Sequence, residues 1–101
     1  MYYRILIPEL LSDYAKVLYL DCDILIQRDI SALYDTNISK YMVGAIKNPP
    51  HKDITSYKHN TLHIDENLYF NSGILLFNTK KCLDLNLKDT CFDLLKKYPK
   101  L

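Results

Sequence analysis

The sequence predicts an α/β fold, in which helices cover a sheet of short strands, because short apolar runs alternate with amphipathic segments. The runs at residues 16–20 and 74–77 are nearly continuous, which is typical of strands buried on both faces of a parallel or mixed sheet. Residues 42–46, interrupted by Gly44, predict a further strand, and residues 24–26 predict a short one. We therefore expect a mixed sheet with flanking helices.

Three segments predict the helices. Pro8 and Glu9 suit the first turn of a short helix that ends near residues 12–13. Residues 29–36 have apolar positions at helical spacing. Asn86 can cap a longer helix that precedes Pro99, with Lys96 and Lys97 at its negative end. The apolar stripe of that helix consists of Leu87, Cys91, Leu94, Leu95 and Tyr98.

Two polar segments predict a turn and a loop. Residues 71–73, an Asn-Ser-Gly sequence before the last apolar run, favour a tight turn with available amide donors. Residues 47–67 lack periodicity, which predicts a long loop of the kind found over binding sites, with disorder as the alternative. The loop contains His51, His59 and His63. They lack the Glu of an H-E-x-x-H metal motif, so we expect solvated histidines there.

Composition limits the function classes. The length suits one domain, residues 1–101, and the net charge of +1 predicts neither nucleic-acid nor membrane binding. The sequence has no apolar stretch of about 20 residues and no signal-peptide pattern, so we expect a soluble, cytoplasmic protein. Three cysteines without C-x-x-C spacing predict reduced thiols rather than disulfides or a zinc site.

The most informative motif is Asp21-Cys22-Asp23, which follows the apolar run 16–20. On an extended backbone, the side chains of Asp21 and Asp23 point to the same side and can meet one ion. Two hard oxygen ligands suit magnesium or manganese, which complete their octahedron with water and phosphate oxygens. Asp is also common where strands turn, and spacing alone leaves both interpretations open. In α/β sheets ligands bind at the carboxyl ends of strands, where this motif is placed.

A D-x-D motif at a strand end also occurs in phosphatases whose first Asp is a nucleophile. In this respect the motif resembles the haloacid dehalogenase family. That family has Thr or Val two residues after the second Asp and then a Gly-rich continuation. Here Leu25 is followed by Ile-Gln-Arg-Asp, which disfavours a phosphatase.

Three strings together carry a more specific resemblance. They are residues 2–11 (YYRILIPELL), 16–23 (KVLYLDCD) and 69–78 (YFNSGILLFN). In order and spacing they closely resemble glycosyltransferase family 8, which includes glycogenin and bacterial lipopolysaccharide galactosyl- and glucosyltransferases. The resemblance implies the GT-A fold, a UDP-hexose donor, a manganese (or magnesium) ion, and transfer to a saccharide or lipopolysaccharide-type acceptor with retention of anomeric configuration.

The resemblance also implies roles for matching residues. Asp21 and Asp23 would bind the metal, and the backbone at Cys22 would lie near the ribose. Arg4 matches an arginine that helps to hold the donor. The sugar would be contacted by Asn71 and the Ser72 amide, and by Asn48 where the family usually has an Asp. Asn keeps the hydrogen-bonding capacity of that position and loses the charge.

Members of the family extend further than this sequence at both ends. A base-binding unit precedes the segment at Tyr2, and an Asp-rich catalytic segment and a metal-binding His follow the last segment. We therefore expect the chain to be the central part of a catalytic domain, with little activity by itself. In a full-length parent, a location peripheral to the membrane is also open. A degenerate module that self-associates through exposed sheet edges is the non-enzymatic alternative.

Overall fold

The structure is a computed structural model that describes residues 2–47 and 68–99. A 3₁₀ helix, Tyr3–Leu6, leads directly into α1, Ile7–Leu10. Strand β1 is Lys16–Leu20, α2 is Ser31–Tyr34, and β2 is Val43–Lys47. Strand β3, Phe70–Asn78, is followed by α3, Thr79–Asp84, and α4, Leu87–Lys97. The predicted α/β class is confirmed, and so are the strands at 16–20, 42–46 and 74–77 to within a few residues.

The longest strand, β3, lies between β1 and β2 and pairs antiparallel with both. Phe77 is opposite Val17 on one side and Val43 on the other. The prediction that β1 belongs to a parallel or mixed sheet is not met in the described residues. Strand β1 pairs antiparallel with β3, and the described part of the sheet has no parallel pair. The predicted burial on both faces is also not found, because β1 lies at the edge of the described sheet and all five of its residues are half-buried.

The two faces of the sheet follow the period-two alternation of strand side chains. On one face, Leu75 and Phe77 form the core with Cys82 of α3. Half-buried side chains pack around this core, and they are Ile7, Val17, Tyr19, Met42, Val43 and Leu87. On the other face Leu76 is 3% exposed, close to Ile38. The same alternation carries Tyr19 and Asp21 to the helix-covered face.

Gly44 has a packing role in β2. A Cβ atom at this position would lie 3.2 Å from Ile38 Cγ2 and 3.6 Å from Leu76 Cβ. The missing side chain therefore lets Ile38 pack closely against the sheet, which explains a glycine inside a strand.

The prediction of a strand at residues 24–26 is wrong. These residues have no strand assignment, and Leu25 and Ile26 are 80% and 55% exposed. A strand requires a neighbour with free backbone groups, and none of the described strands pairs with this segment. An apolar tripeptide was too short a pattern to indicate a strand by itself.

The predicted turn at residues 71–73 lies inside β3, as an irregularity of the strand. Ala45 is opposite Leu75, whereas the next residue, Ile46, is opposite Asn71, so three residues of β3 bulge out of the ladder. Within the bulge the Gly73 N–H donates to Asn71 Oδ1 at 2.7 Å. The turn preference of Asn-Ser-Gly is thus expressed as a bulge that bends one end of the central strand.

One helix start uses a side-chain cap, and a second helix is preceded by a turn that an Asp side chain closes. Asn78 Oδ1 accepts from the Lys81 N–H at 3.1 Å, which satisfies a free donor of α3. Before α2, Asp29 Oδ1 accepts from the Ser31 N–H at 2.8 Å, and this hydrogen bond lowers the pKa of Asp29. The helical turn at 29–36 and the short helix at Pro8 are both confirmed.

Asn86 precedes α4 as predicted, but the expected side-chain cap is absent. Asn86 has a left-handed backbone, φ 55° and ψ 47°, and its side chain makes no capping hydrogen bond. Only two residues separate α3 from α4, so this position reverses the chain, which Asn tolerates. In the predicted stripe, Leu87, Cys91 and Leu95 are half-buried, whereas Leu94 and Tyr98 are exposed.

Lys47, the first residue of the loop expected at 47–67, is instead the last residue of β2. Its remainder, with Asn48, His51, His59 and His63, lies outside the described residues. Among residues 2–47 and 68–99, the helices are all too short or too polar to cross a membrane.

Candidate functional site

The candidate site lies where β1 ends and β3 bulges. Leu20 is the last residue of β1, opposite Ile74. The next residue, Asp21, still donates its N–H to the Gly73 carbonyl at 2.8 Å. This bond fixes the backbone of Asp21 although the residue is outside the strand, so its carboxylate has a defined position beside the bulge.

One oxygen of the Asp21 carboxylate, Oδ1, accepts hydrogen bonds from two side chains. The Tyr19 hydroxyl donates to Oδ1 at 2.5 Å, and Arg4 Nη2 contacts the same oxygen at 3.2 Å. The side chains of Asp21 and Arg4 are 32% and 22% exposed, so the pair is at the surface but shielded on one side. Within the described residues, Oδ2 makes no hydrogen bond.

Arg4 connects the N-terminal segment to both strands. Its Nη1 donates to the carbonyl and to the hydroxyl of Ser72, both at 2.7 Å, while Nη2 reaches Asp21. The guanidinium also lies over the Tyr19 ring, 4.9 Å from the centroid. Nε is buried without a hydrogen-bond partner in the described part of the chain. A guanidinium has five N–H donors, so Nη2 keeps one N–H for an incoming anion.

The Tyr19 hydroxyl is held as a donor by its neighbour. Its hydrogen bond to Asp21 raises the pKa of Tyr19, and burial adds to that rise, whereas the positive charge of Arg4 acts in the opposite direction. A raised pKa favours the neutral phenol, so the O–H proton stays on Tyr19 and points at Asp21 Oδ1 throughout the neutral pH range.

The bulge brings Asn71 and Gly73 to the same place. Because Asn71 Oδ1 accepts from the Gly73 N–H, the side-chain Nδ2 of Asn71 is the group left to face a ligand. A Cβ atom on Gly73 would lie 2.9 Å from Asn71 Oδ1 and 3.0 Å from Asp21 Oδ2. The absence of a side chain at position 73 therefore lets Asn71 Oδ1 and Asp21 Oδ2 lie close to the backbone of β3.

The local geometry of the D-x-D motif differs from the prediction. Cys22 and Asp23 lie in a turn and are exposed, so the extended-backbone argument for aligned carboxylates does not hold. The backbone follows the alternative interpretation, in which the two Asp residues mark a turn. Strand β1 ends here because its pairing with β3 stops at the bulge of β3. Asp23 makes no hydrogen bond or ion pair with any described residue, which leaves its carboxylate available.

The structure thus brings together four predicted site residues: Arg4, Asp21, Asn71 and Ser72. Cys22 and Asp23 follow directly in the turn, and Asn48 lies outside the described residues. Sequence reasoning missed Tyr19 and Gly73. Tyr19 stands two residues before Asp21 on one strand, a spacing that places both on one face and could have indicated it.

The oxygen donors at this site fit a hard divalent ion. Asp21 Oδ2 has no hydrogen bond within the described residues, Asp23 is exposed, and a side chain at residue 73 would crowd Oδ2. The described residues contain no group of three or more His, Cys, Asp or Glu side chains that could surround a metal. This part of the chain can therefore offer two carboxylates, and magnesium or manganese commonly takes its other ligands from water and phosphate.

Known proteins resemble both the sequence and the fold. A sequence model of glycosyl transferase family 8 matches residues 1–101. General stress protein A of Bacillus subtilis is 32% identical over 100 residues, which are 97% of this chain and 34% of that protein. Probable galacturonosyltransferase 13 of Arabidopsis thaliana is 28% identical over 106 residues, covering 92% of this chain and 20% of that protein.

A solved structure supports the fold. The galactosyltransferase LgtC, crystallised with donor and acceptor sugar analogues, matches with a TM-score of 0.82 and 29% identity over 97% of this chain and 35% of that one. The GT-A fold expected from the three sequence strings is thereby confirmed. The chain spans about a third of the length of LgtC and of the Bacillus relative. Because the family model matches it from end to end, the chain belongs to glycosyl transferase family 8.

Proposed function

We propose that the chain is the donor-binding part of a retaining hexosyltransferase and that it binds a UDP-hexose through the end of β1 and the bulge of β3. The observation that carries this proposal is the fixed carboxylate of Asp21, which Arg4 and Tyr19 hold by Oδ1 while Oδ2 has no hydrogen bond within the described residues. Family membership supports glycosyl transfer as the reaction.

Asp21 and Asp23 are the proposed ligands of a manganese (or magnesium) ion. When bound, such an ion neutralises the charge that develops on the leaving diphosphate. The protein itself holds one carboxylate in a fixed position and leaves the second carboxylate free to move. Asp21 is held by its N–H and by two side-chain donors, whereas Asp23 in the exposed turn has no partner in the described residues.

The remaining residues position the donor. The last N–H of Arg4 Nη2 suits a phosphate oxygen, and Asn71 Nδ2 with the Ser72 amide suits sugar hydroxyls. The backbone at Cys22 lies beside the proposed metal site, which is consistent with a ribose contact. Asn48 is the residue after Lys47 in the sequence, and we assign it to the sugar by the same resemblance.

We further propose that the chain is the central part of a longer catalytic domain and that the isolated chain turns over slowly. The Bacillus relative and LgtC are each about three times as long as the chain, which supports this. The proposed acceptor is a saccharide or a lipopolysaccharide-type glycan. LgtC binds donor and acceptor sugar analogues, which makes a sugar acceptor the natural class to test. The proposed location, in the cytoplasm or at its membrane surface, stays a prediction.

Substitution of the carboxylates tests the metal site. Asp21→Asn is expected to weaken Mn²⁺ binding on the order of tenfold or more, with or without UDP, because one of two anionic ligands is lost. Asp23→Asn should have a similar effect. The measurement is an electron paramagnetic resonance titration of the 101-residue chain, in which the signal of free Mn²⁺ falls as the ion binds.

Asp84→Asn is the matched control. Asp84 is exposed at the end of α3, which follows the opposite end of β3 from the site. The substitution raises the net charge of the protein by one unit, as Asp21→Asn does, and should leave Mn²⁺ affinity unchanged. Equal Mn²⁺ binding by wild type, Asp21→Asn and Asp84→Asn would remove the metal site from the proposal.

A second candidate function, self-association, is favoured by the exposed apolar surface. Eighteen large apolar or aromatic side chains of the described residues are exposed, against five hydrophobic residues in the core. On the sheet face away from Tyr19, a groove of about 620 Å³ is bordered by Leu18 and Leu20 of β1, by Leu11 and Tyr14, and by Ile30 and Tyr34. We propose that a second copy of the chain covers this groove, because the same apolar surface on each copy makes a two-fold contact self-complementary.

Sedimentation velocity over a range of concentrations tests this second candidate. The wild-type chain should shift from monomer to dimer with concentration, and Ile30→Glu should move that shift to higher concentration by placing a charge in the groove. Leu94→Glu, at an exposed apolar position on α4 outside the groove, should behave as wild type. A monomer at every concentration, or equal effects of the two variants, contradicts the groove as the interface.

A further inference from the structure

We propose that Tyr19 is a positioning residue for the divalent ion: together with Arg4 it occupies Oδ1 of Asp21, so that Asp21 binds the ion through Oδ2 alone. This inference rests on the metal role proposed above for Asp21. It adds a residue that the D-x-D motif does not contain and a binding mode, one oxygen rather than two.

The two carboxylate oxygens of Asp21 differ in their hydrogen bonds. Oδ1 receives the Tyr19 O–H at 2.5 Å and the Arg4 Nη2 donor at 3.2 Å, and both are charge-assisted because the acceptor is a carboxylate. A chelating carboxylate would use both oxygens for the ion. Since Oδ1 already has two donors, chelation would compete with both of these bonds, whereas binding through Oδ2 leaves them intact.

The same contacts prevent the carboxylate from turning. Tyr19 lies on the same face of the chain as Asp21, and the ring lies beneath the guanidinium of Arg4 at 4.9 Å. Arg4 is itself tied to Ser72 by two bonds of 2.7 Å, so it cannot follow a rotating carboxylate. Rotation about the last side-chain bond of Asp21 would break the Tyr19 and Arg4 hydrogen bonds together.

The environment of Oδ2 complements that of Oδ1. Oδ2 lies close to Gly73, where a Cβ atom would be only 3.0 Å away, and it makes no hydrogen bond within the described residues. One oxygen is therefore held by protein donors, while the other is left without a donor in a position that a side chain at residue 73 would disturb. Partners that orient a metal-binding side chain in this way commonly contribute about 10–100-fold to metal affinity.

A purely structural role for Tyr19 is the competing explanation, because its ring packs against the core of Leu75, Phe77 and Cys82. Tyr19→Phe separates the two roles. It keeps the ring, the core contact and the surface presented to Arg4, and it removes only the hydroxyl that donates to Asp21. A structural role predicts an effect on stability, whereas a positioning role predicts an effect on the ion.

Tyr34→Phe is a closely matched control. The Tyr34 hydroxyl donates to the Lys16 carbonyl at 3.2 Å, and Lys16 Nζ lies 5.4 Å from the centre of the Tyr34 ring. Like Tyr19, Tyr34 thus combines one hydroxyl hydrogen bond with a cation over its ring. It contacts the opposite end of β1 from Asp21, so its hydroxyl should not influence the ion.

The experiment is a Mn²⁺ titration of the 101-residue chain by electron paramagnetic resonance, with urea unfolding of the same samples. We expect Tyr19→Phe to weaken Mn²⁺ binding by about tenfold or more, and Tyr34→Phe to bind as wild type. Asp21→Asn, in the same series, reports on the metal site itself. Unfolding midpoints show whether the two Tyr→Phe variants differ in stability.

Each outcome supports or overturns the inference. Weaker binding for Tyr19→Phe alone, at equal stability of both variants, supports it. Wild-type affinity in Tyr19→Phe, with weak binding in Asp21→Asn, overturns the role of Tyr19 and leaves the proposed function standing. Equal losses in Tyr19→Phe and Tyr34→Phe also overturn it, because the effect is then general. If Asp21→Asn binds Mn²⁺ as wild type, the proposed metal site and this inference fail together.

Discussion

Phe77→Ala is expected to lower the free energy of unfolding by about 3–5 kcal/mol, the usual loss for a buried Phe. Phe77 is 3% exposed and lies opposite Val17 of β1 and Val43 of β2, so its ring joins all three strands. The described core has only five buried hydrophobic residues, and few neighbours are available to fill the resulting cavity. A loss of this size is comparable with the whole stability of many domains.

Urea unfolding followed by circular dichroism measures this loss, with Phe92→Ala as the control. Phe92 is an exposed Phe on α4, and its truncation should change the free energy of unfolding by no more than about 0.5 kcal/mol, as is usual at surfaces. We expect Phe77→Ala to lose its far-UV signal at a lower urea concentration than Phe92→Ala, because Phe77→Ala is the less stable variant. Equal losses would contradict the central place of β3 in the core.

The strands that the sequence predicted well are those whose stability comes from burial. Residues 16–20 and 74–77 are nearly continuous apolar runs, and both are strands in the structure. Residues 24–26 have the same local character but no neighbour in the described sheet. Pairing is a long-range property, so neither this difference nor the antiparallel direction of β1 could be derived from local pattern.

The site was predictable to the extent that it follows from the D-x-D motif and the family resemblance. Arg4, Asp21 and Ser72 are far apart in sequence and meet in the structure, as the three matched strings implied. The rule that side chains alternate between the two faces of a strand gave the wrong expectation for Asp23, because the chain turns after Asp21. Tyr19 was missed because its role depends on Arg4, which arrives from a separate helix and places its guanidinium over the ring.

Gly73→Ala is expected to weaken Mn²⁺ binding by about tenfold or more, while lowering the free energy of unfolding by only about 1–2 kcal/mol, at the low end for overpacking. A Cβ at this position would meet Asn71 Oδ1 at 2.9 Å and Asp21 Oδ2 at 3.0 Å. Both atoms are the ends of side chains, so the backbone need not move. The displacement falls instead on the two groups that are proposed to face the ion and the sugar.

Backbone strain does not complicate this prediction, because no glycine in the described part of the chain has a positive φ. Gly44→Ala is therefore a matched control. Its Cβ would lie 3.2 Å from Ile38 Cγ2 and 3.6 Å from Leu76 Cβ, in the packing on the opposite face of the sheet. We expect Gly44→Ala to lower stability by a similar or larger amount and to leave Mn²⁺ affinity unchanged.

The two glycine variants, measured by Mn²⁺ titration and urea unfolding, separate the site from the fold. If Gly73→Ala binds Mn²⁺ as tightly as wild type, Asp21 Oδ2 is not the atom that binds the ion, and both the binding mode and the role of Tyr19 must be revised. If Gly44→Ala loses affinity to the same degree, the loss follows from general destabilisation. Selective loss in Gly73→Ala is the result expected when a glycine at residue 73 is needed to leave Asp21 Oδ2 in place for the ion.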